Sequence, residues 1–143
     1  MNPQTLIVVD DAHVNRLLPC ILLKKAGHRV FECGTGEQAL RLMALYHVDQ
    51  VLLDIAMPHR NGLEICQQIR QQAQYDHVKL IAYTAHAQAH EVKAFLEAGF
   101  DAVLTKPIQA QDILSLFGGD LNDPDADASG AAHSAEPRPR PPV

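Results

Sequence analysis

The chain lacks the features that mark several large classes of protein. It has only three cysteines, Cys20, Cys33 and Cys66, widely spread and each set in an apolar stretch. An odd count at that spacing gives neither a disulfide framework nor a zinc pattern, so they are read as buried free thiols in a reducing compartment. No apolar run approaches the roughly 18 residues that a membrane span needs. A basic segment is missing ahead of the first strand pattern, which begins by Thr5, so no signal peptide is read there. Excess positive charge is missing too. The formal net charge is −5, of which residues 118–143 carry −3 through Asp120, Asp123, Asp125, Asp127 and Glu136 against Arg138 and Arg140. A mildly acidic remainder of −2 over residues 1–117 offers no electrostatic footprint for nucleic acid or an anionic membrane. The expectation is a cytoplasmic protein with no direct nucleic-acid or membrane contact.

What is present is an alternation of two hydrophobic periods, in a chain of 143 residues that is 47% hydrophobic and 20% charged. Continuous runs rich in Val, Ile and Leu occupy residues 5–9, 48–53 and 78–82, with weaker ones at 28–33 and 102–104. Short runs of this kind fit strands buried on both faces of a parallel sheet. Segments with helical spacing lie between them. Val14, Leu17, Leu18, Ile21 and Leu22 make one stripe, and Ala39, Leu42, Met43 and Tyr46 a second. Leu63, Cys66, Ile69 and Arg70 begin a third, Val92, Phe95, Leu96 and Gly99 mark a fourth, and a short fifth helix is predicted over residues 109–117. Strand then helix, five times over, predicts a doubly wound α/β domain with right-handed crossovers. Gly27 and Gly99 sit where the first and fourth helices should stop. Pro19 falls inside the first helical pattern and removes a backbone donor, but the apolar spacing continues on both sides and the helix is expected to survive.

From Gly118 the pattern gives way to Gly, Asp, Ala, Ser and Pro, ending Pro-Arg-Pro-Arg-Pro-Pro-Val. Nothing there would offset the entropy of ordering the chain. Residues 1–117 are therefore read as the folded domain and 118–143 as a disordered tail or linker, whose Pro-Arg end has the composition of a polyproline ligand.

In open α/β sheets, ligands bind beyond the carboxyl ends of the strands, where the strand order reverses. Polar residues fall at such ends here. Asp10 and Asp11 follow the first strand, Asp54 closes the third, Thr84 follows the fourth, and Lys106-Pro107 follows the fifth. Three carboxylates at one sheet edge repel each other, and burial adds to the cost of their charge. Mg²⁺ suits such a set because it prefers oxygen ligands and keeps several waters. Lys106 supplies a second positive charge, and cation and ammonium together can neutralise a transferring phosphoryl group. A carboxylate is a competent nucleophile towards phosphorus and yields an acyl phosphate. Thr84 offers a hydroxyl donor to a phosphate oxygen.

Together, Asp10-Asp11, Asp54 in Leu-Leu-Asp-Ile-Ala-Met-Pro, Gly62 after that loop, Thr84-Ala85 and Lys106-Pro107 resemble the receiver domains of two-component signalling, over about residues 4–117. The resemblance implies a flavodoxin-like five-stranded parallel sheet of order 2-1-3-4-5 with five helices, an order that a chemotaxis receiver illustrates. It implies that Asp54 takes a phosphoryl group from a phosphohistidine, that Asp11 binds Mg²⁺ directly and that Asp10 helps to hold it through water. The backbone carbonyl of Ala56 is the further ligand it implies beside Asp54. Thr84 and Lys106 are expected to contact the phosphoryl group, and Lys106-Pro107 to be a cis peptide, which proline makes tolerable. Asn15-Arg16, and Thr84-Ala85-His86-Ala87 leading to Leu96-Glu97-Ala98-Gly99, are similar to receivers attached to or partnered with hybrid histidine kinases. The implied partner is a histidine kinase or a histidine phosphotransfer domain. The implied role is a relay or switch with no output domain in this chain, and no enzymatic activity beyond its own phosphoryl transfer and dephosphorylation. The short fifth helix leaves a small dimer face, so a monomer is expected.

The chain also departs from the family pattern. Many receivers have Tyr or Phe where this one has Val103, and that ring turns inward as the threonine follows the phosphoryl group. Valine, small and stiff at χ1, cannot make the movement. Output is then expected to run through the Thr84 loop and the fourth helix, or the domain mainly relays phosphate. His59 and Arg60 stand where the family often has Met and Asp, and are read as exposed loop residues. Ala56 and Ala85 leave the space beside Asp54 open, so attacking water is not sterically excluded. His86 and His90 are read as four apart on the fourth helix and solvated, because no further metal ligands accompany them. Two other function classes compete. An aspartyl-phosphate hydrolase wants a second acid two residues after the nucleophile, where Ala56 stands. A pseudo-receiver is disfavoured by the intact Asp11, Asp54, Thr84 and Lys106.

Overall fold

The computed structural model describes residues 3–57 and 61–117. The segment 118–143, His59 and Arg60 lie outside the described residues. Five strands alternate with five helices: β1 (Thr5–Val9), α1 (His13–Lys25), β2 (Arg29–Cys33), α2 (Gly36–Leu45), β3 (Gln50–Asp54), α3 (Gly62–Arg70), β4 (Lys79–Thr84), α4 (Ala89–Ala98), β5 (Ala102–Thr105) and α5 (Ala110–Asp112). A 3-10 turn, Ala73–Tyr75, precedes β4, and α5 runs on as a π-helical turn over Ile113–Phe117. All strand pairs are parallel and the order is β2-β1-β3-β4-β5, the order that the family resemblance implied. The order reverses between β1 and β3, which opens a crevice at their carboxyl ends.

Strand parity divides the core in two, because successive side chains point to opposite faces. Ile7, Val9, Val51, Leu53, Leu80 and Ala82 meet Ala39 and Met43 of α2, Ile65, Cys66 and Ile69 of α3, and Phe95 of α4. Leu6, Val8, Leu52, Ile81, Tyr83 and Leu104 meet Cys20 and Leu23 of α1 and Ile113 and Phe117 of the π-helical turn after α5. Both faces are covered, which is why the strands read as unbroken apolar runs.

The apolar stripe that the sequence marks on α1 is not its packed face. Val14 is 70% exposed and Ile21 59%, with Leu17 and Leu18 exposed as well, while Pro19, Cys20 and Leu23 are buried. The two sets lie on opposite sides of a helix whose polar residues gather at its ends, so periodicity had no polar side to choose against. Leu22 alone of the marked stripe packs against the core among the described residues. The helix does continue through Pro19. His86 is a second correction. α4 begins at Ala89, so His86 lies in the loop before it rather than one turn from His90.

The end of the sheet away from the acids is held by Arg70. Its Nε donates to the Gly99 carbonyl at 2.9 Å, one Nη to the Tyr75 carbonyl at 3.2 Å, and the other to Asp101 Oδ2 at 2.7 Å. That same Asp101 oxygen accepts the Leu80 N–H at 2.9 Å. Gly99 caps α4 with φ 119°, and a Cβ there would come within 2.8 Å of Arg70 Cγ, so glycine is needed for both the turn and the clasp.

Candidate functional site

Asp10 leaves β1 and turns at once into α1. It is fully buried, and its Oδ1 accepts the Ala12 N–H at 3.0 Å. Its backbone is fixed from both sides: its N–H donates to the Cys33 carbonyl at 3.1 Å, and its carbonyl accepts Arg16 Nη1 at 2.7 Å. Arg16 is steadied in turn by Glu32 Oε1, 3.1 Å from its Nε. Asp11, the next residue, is exposed. Asp54 closes β3, is 3% exposed, and its Oδ1 accepts the Ala56 N–H at 3.3 Å. The loop after it is pressed against Gly62, whose N–H donates to the Ile55 carbonyl at 2.9 Å. A Cβ on Gly62 would lie 2.5 Å from the Asp54 carbonyl oxygen and 3.0 Å from Ile55 Cα, which is why glycine follows this loop.

Asp10, Asp11 and Asp54 each present a carboxylate oxygen within 4.8 Å of the others. Lys106 reaches in from the far side of the sheet, its Nζ 3.0 Å from Asp10 Oδ2 and 3.1 Å from Asp54 Oδ1. Its backbone N–H donates to the Thr84 carbonyl at 2.7 Å, and the Lys106-Pro107 peptide is cis. Burial pushes the Asp54 carboxyl up, and the neighbouring charge of Asp10 pushes it further, against the lowering effect of Lys106 and the Ala56 N–H. Burial alone would lower the Lys106 ammonium, but its hydrogen bonds and charge pairing with Asp10 and Asp54 raise it overall. Three acids and one ammonium leave the pocket short of positive charge. Its donors are all carboxylate oxygens, a set that fits a hard divalent cation.

Against known proteins, the profile of the response regulator receiver domain family matches residues 6–117. The chain belongs to this family. Relatives of this receiver include the sensor histidine kinase GacS of Pseudomonas protegens, 36% identical over 110 residues that make up 75% of this chain and 12% of that one. The sensor histidine kinase RcsC of Escherichia coli is 36% identical over 103 residues, 72% of this chain and 11% of the relative. The receiver thus spans about an eighth of the length of such hybrid kinases. Among solved structures, the receiver domain of sensor histidine kinase PA1611 from Pseudomonas aeruginosa is 29% identical, with a TM-score of 0.70 over 78% of this chain and 92% of that one. That crystal structure has a magnesium ion coordinated in its active site cleft.

Thr84 stands at the same edge of the receiver, but its hydroxyl is turned towards its own loop. It donates to the His86 carbonyl at 2.9 Å and accepts the His86 N–H at 3.3 Å. Ala56 and Ala85 are exposed at the mouth, and Val103 is half-buried against the core. The three cysteines are buried free thiols, with burial pushing Cys20 and Cys66 up to about 11 and Cys33 to about 12. Among the described residues, no helix is long and apolar enough to cross a membrane. Two residues with a part in the site gave little sign in the sequence. Arg16 reads there only as a branch marker beside Asn15. Tyr83 falls just past the apolar run marked at residues 78–82, and β4 in fact extends through it to Thr84.

Proposed function

We propose that Asp54 is the phosphoacceptor of this receiver, taking a phosphoryl group from the phosphohistidine of a histidine kinase or histidine phosphotransfer domain. A carboxylate oxygen of Asp54 attacks phosphorus, the P–N bond breaks, and its electron pair returns to the imidazole. Asp11, Asp54 and the Ala56 carbonyl would hold Mg²⁺, with Asp10 assisting through water. The ion supplies charge neutralisation for the anionic oxygens when bound. Lys106 meets the incoming anion as a second positive centre, and Thr84 donates its hydroxyl once it leaves the His86 carbonyl. Water then reaches the acyl phosphate past Ala56 and Ala85, so the mark is self-limiting.

The observation that carries this reading is the convergence of Asp10, Asp54 and Lys106, distant in sequence, into one buried hydrogen-bonded group beside an exposed acid. The exposed stripe Val14, Leu17, Leu18 and Ile21 supports the partner assignment. It lies on the helix that begins two residues after Asp11, where a helical phosphodonor would need apolar contact to bring its histidine to Asp54. We place the folded receiver at residues 1–117, with 118–143 as tail or linker, in a monomer acting in the cytoplasm. Incubation with radiolabelled acetyl phosphate and Mg²⁺ tests the central claim. Wild type should be labelled and Asp54→Ala should not; equal labelling would refute it.

A further inference from the structure

β4 is apolar from Leu80 to Ala82 and then carries a phenol, Tyr83, just before Thr84. Tyr83 is buried, and it is in register with Asp54 on one side and Leu104 on the other. Two contacts run from its side chain to the segment that bears Lys106. Pro107 has no backbone N–H, so the first amide beyond Lys106 able to tether the loop is that of Ile108. Ile108 is buried, and its N–H donates to the Tyr83 hydroxyl oxygen at 3.0 Å. The Lys106 ammonium lies 5.2 Å from the centre of the Tyr83 ring, within reach of cation–π attraction. On the other side, the Tyr83 carbonyl accepts the Ile55 N–H at 3.2 Å, next to Asp54.

We propose that Tyr83 is a positioning residue for Lys106: its hydroxyl oxygen fastens the loop that carries the lysine, and its ring confines the ammonium beside Asp10 and Asp54. A lysine head group on a flexible four-carbon stem otherwise ranges widely. Held in place, it is a partner already oriented for an arriving anion rather than one that must be ordered during transfer. This inference rests on the phosphoacceptor reading of Asp54 and deepens it, by assigning what fixes the group expected to meet the phosphoryl oxygens. Phenylalanine at this position keeps the ring and removes the acceptor, so it isolates the hydroxyl's part.

The test compares wild type, Tyr83→Phe, Lys106→Ala and the double variant. One readout needs neither metal nor phosphate: amide hydrogen exchange at Ile108 should be about tenfold faster in Tyr83→Phe, while the protein still unfolds cooperatively. The second is affinity for beryllofluoride in the presence of Mg²⁺, set against affinity for Mg²⁺ alone. Tyr83→Phe should weaken beryllofluoride by about threefold to tenfold and leave Mg²⁺ binding unchanged or tighter. In the Lys106→Ala background the same substitution should have no effect on beryllofluoride. Equal weakening of both ligands, an undiminished effect without Lys106, or an unchanged Ile108 amide would each overturn the proposal. Should Tyr83→Phe not fold, Tyr83→Met carries the same expectations. If wild type itself binds no beryllofluoride and takes no label from acetyl phosphate, the phosphoacceptor reading fails, and this proposal with it.

Discussion

Replacing Lys106 by Met removes the positive end of the buried network and keeps most of the stem's bulk. The ammonium bonds two carboxylates at 3.0 and 3.1 Å, and those of Asp10 and Asp54 have almost no access to water. At an effective dielectric constant of about 20, each such attraction is on the order of 4 kcal/mol before desolvation is counted. Breaking a buried pair and leaving its charge uncompensated costs about 3–5 kcal/mol. The Lys106 side chain is 22% exposed and Asp11 stands open beside it, so water reaches the mouth. The expected cost is therefore at the low end, about 3 kcal/mol at pH 7 in EDTA. Two signatures accompany the loss. Without a competing ammonium, Mg²⁺ should bind about tenfold more tightly, which returns about 1.4 kcal/mol of stability at saturating metal. In wild type, the raised Lys106 contributes fully below its ordinary value of 10.5, and that contribution is lost as pH rises through the folded value. The chain has no tryptophan, so urea unfolding is best followed by far-ultraviolet circular dichroism, with and without Mg²⁺. A variant within about 0.5 kcal/mol of wild type in EDTA, or one whose Mg²⁺ affinity does not rise, would refute this account of the charge balance.

Asp54→Asn should raise the melting temperature at pH 7. A carboxyl whose folded pKa is raised stabilises fully only below its unfolded value, here 3.8, and loses that contribution as pH rises through the folded value. The gain should therefore vanish in strongly acidic buffer; a gain that grew towards low pH would contradict the sign. Gly62→Ala should cost about 2 kcal/mol in denaturant titrations and slow labelling of Asp54, because the added Cβ meets backbone that cannot swing aside. Leu17→Ser with Ile21→Ser should change stability by less than about 0.5 kcal/mol and leave labelling by acetyl phosphate intact. The same pair should slow transfer from a phosphohistidine partner by about tenfold in a phosphotransfer assay. With Val103 in place of an aromatic ring, beryllofluoride should shift NMR resonances in the Thr84 loop and α4. Shifts confined to the acids would rule out a long-range switch.

The strands were legible because each buried strand declares itself as a short run of Val, Ile and Leu, and the glycines at 27 and 99 do take left-handed φ; their order came only from the family resemblance. The face of α1 was not legible. Leu17 and Ile21 are as apolar as Cys20 and Leu23, and only the tertiary packing of Leu23 against the sheet selects one side. The start of α4 was recoverable from the chain: Glu91 accepts the N–H of Gln88, three residues before it, a spacing that marks a helix entrance and places His86 outside. The acids and Lys106 were legible as a set, since strand ends in this topology must meet. Tyr83 was not, because it lies just past the apolar run at 78–82, and the partner that gives its hydroxyl a purpose is 25 residues away.

The Arg70 clasp has a mechanical corollary. It holds the C-terminal cap of α4, while the other end of that helix follows the loop in which the Thr84 hydroxyl bonds the His86 backbone. A rod secured at one tip can swing but not slide. At 1.5 Å per residue, the ten residues of α4 form a lever about 15 Å long, so each degree of tilt carries its loose tip about 0.26 Å. If Thr84 exchanges the His86 carbonyl for another oxygen, as proposed, the displacement should be largest at Ala89 and fade towards Gly99. A protein reading this motion would do best to grip the first turn of the helix.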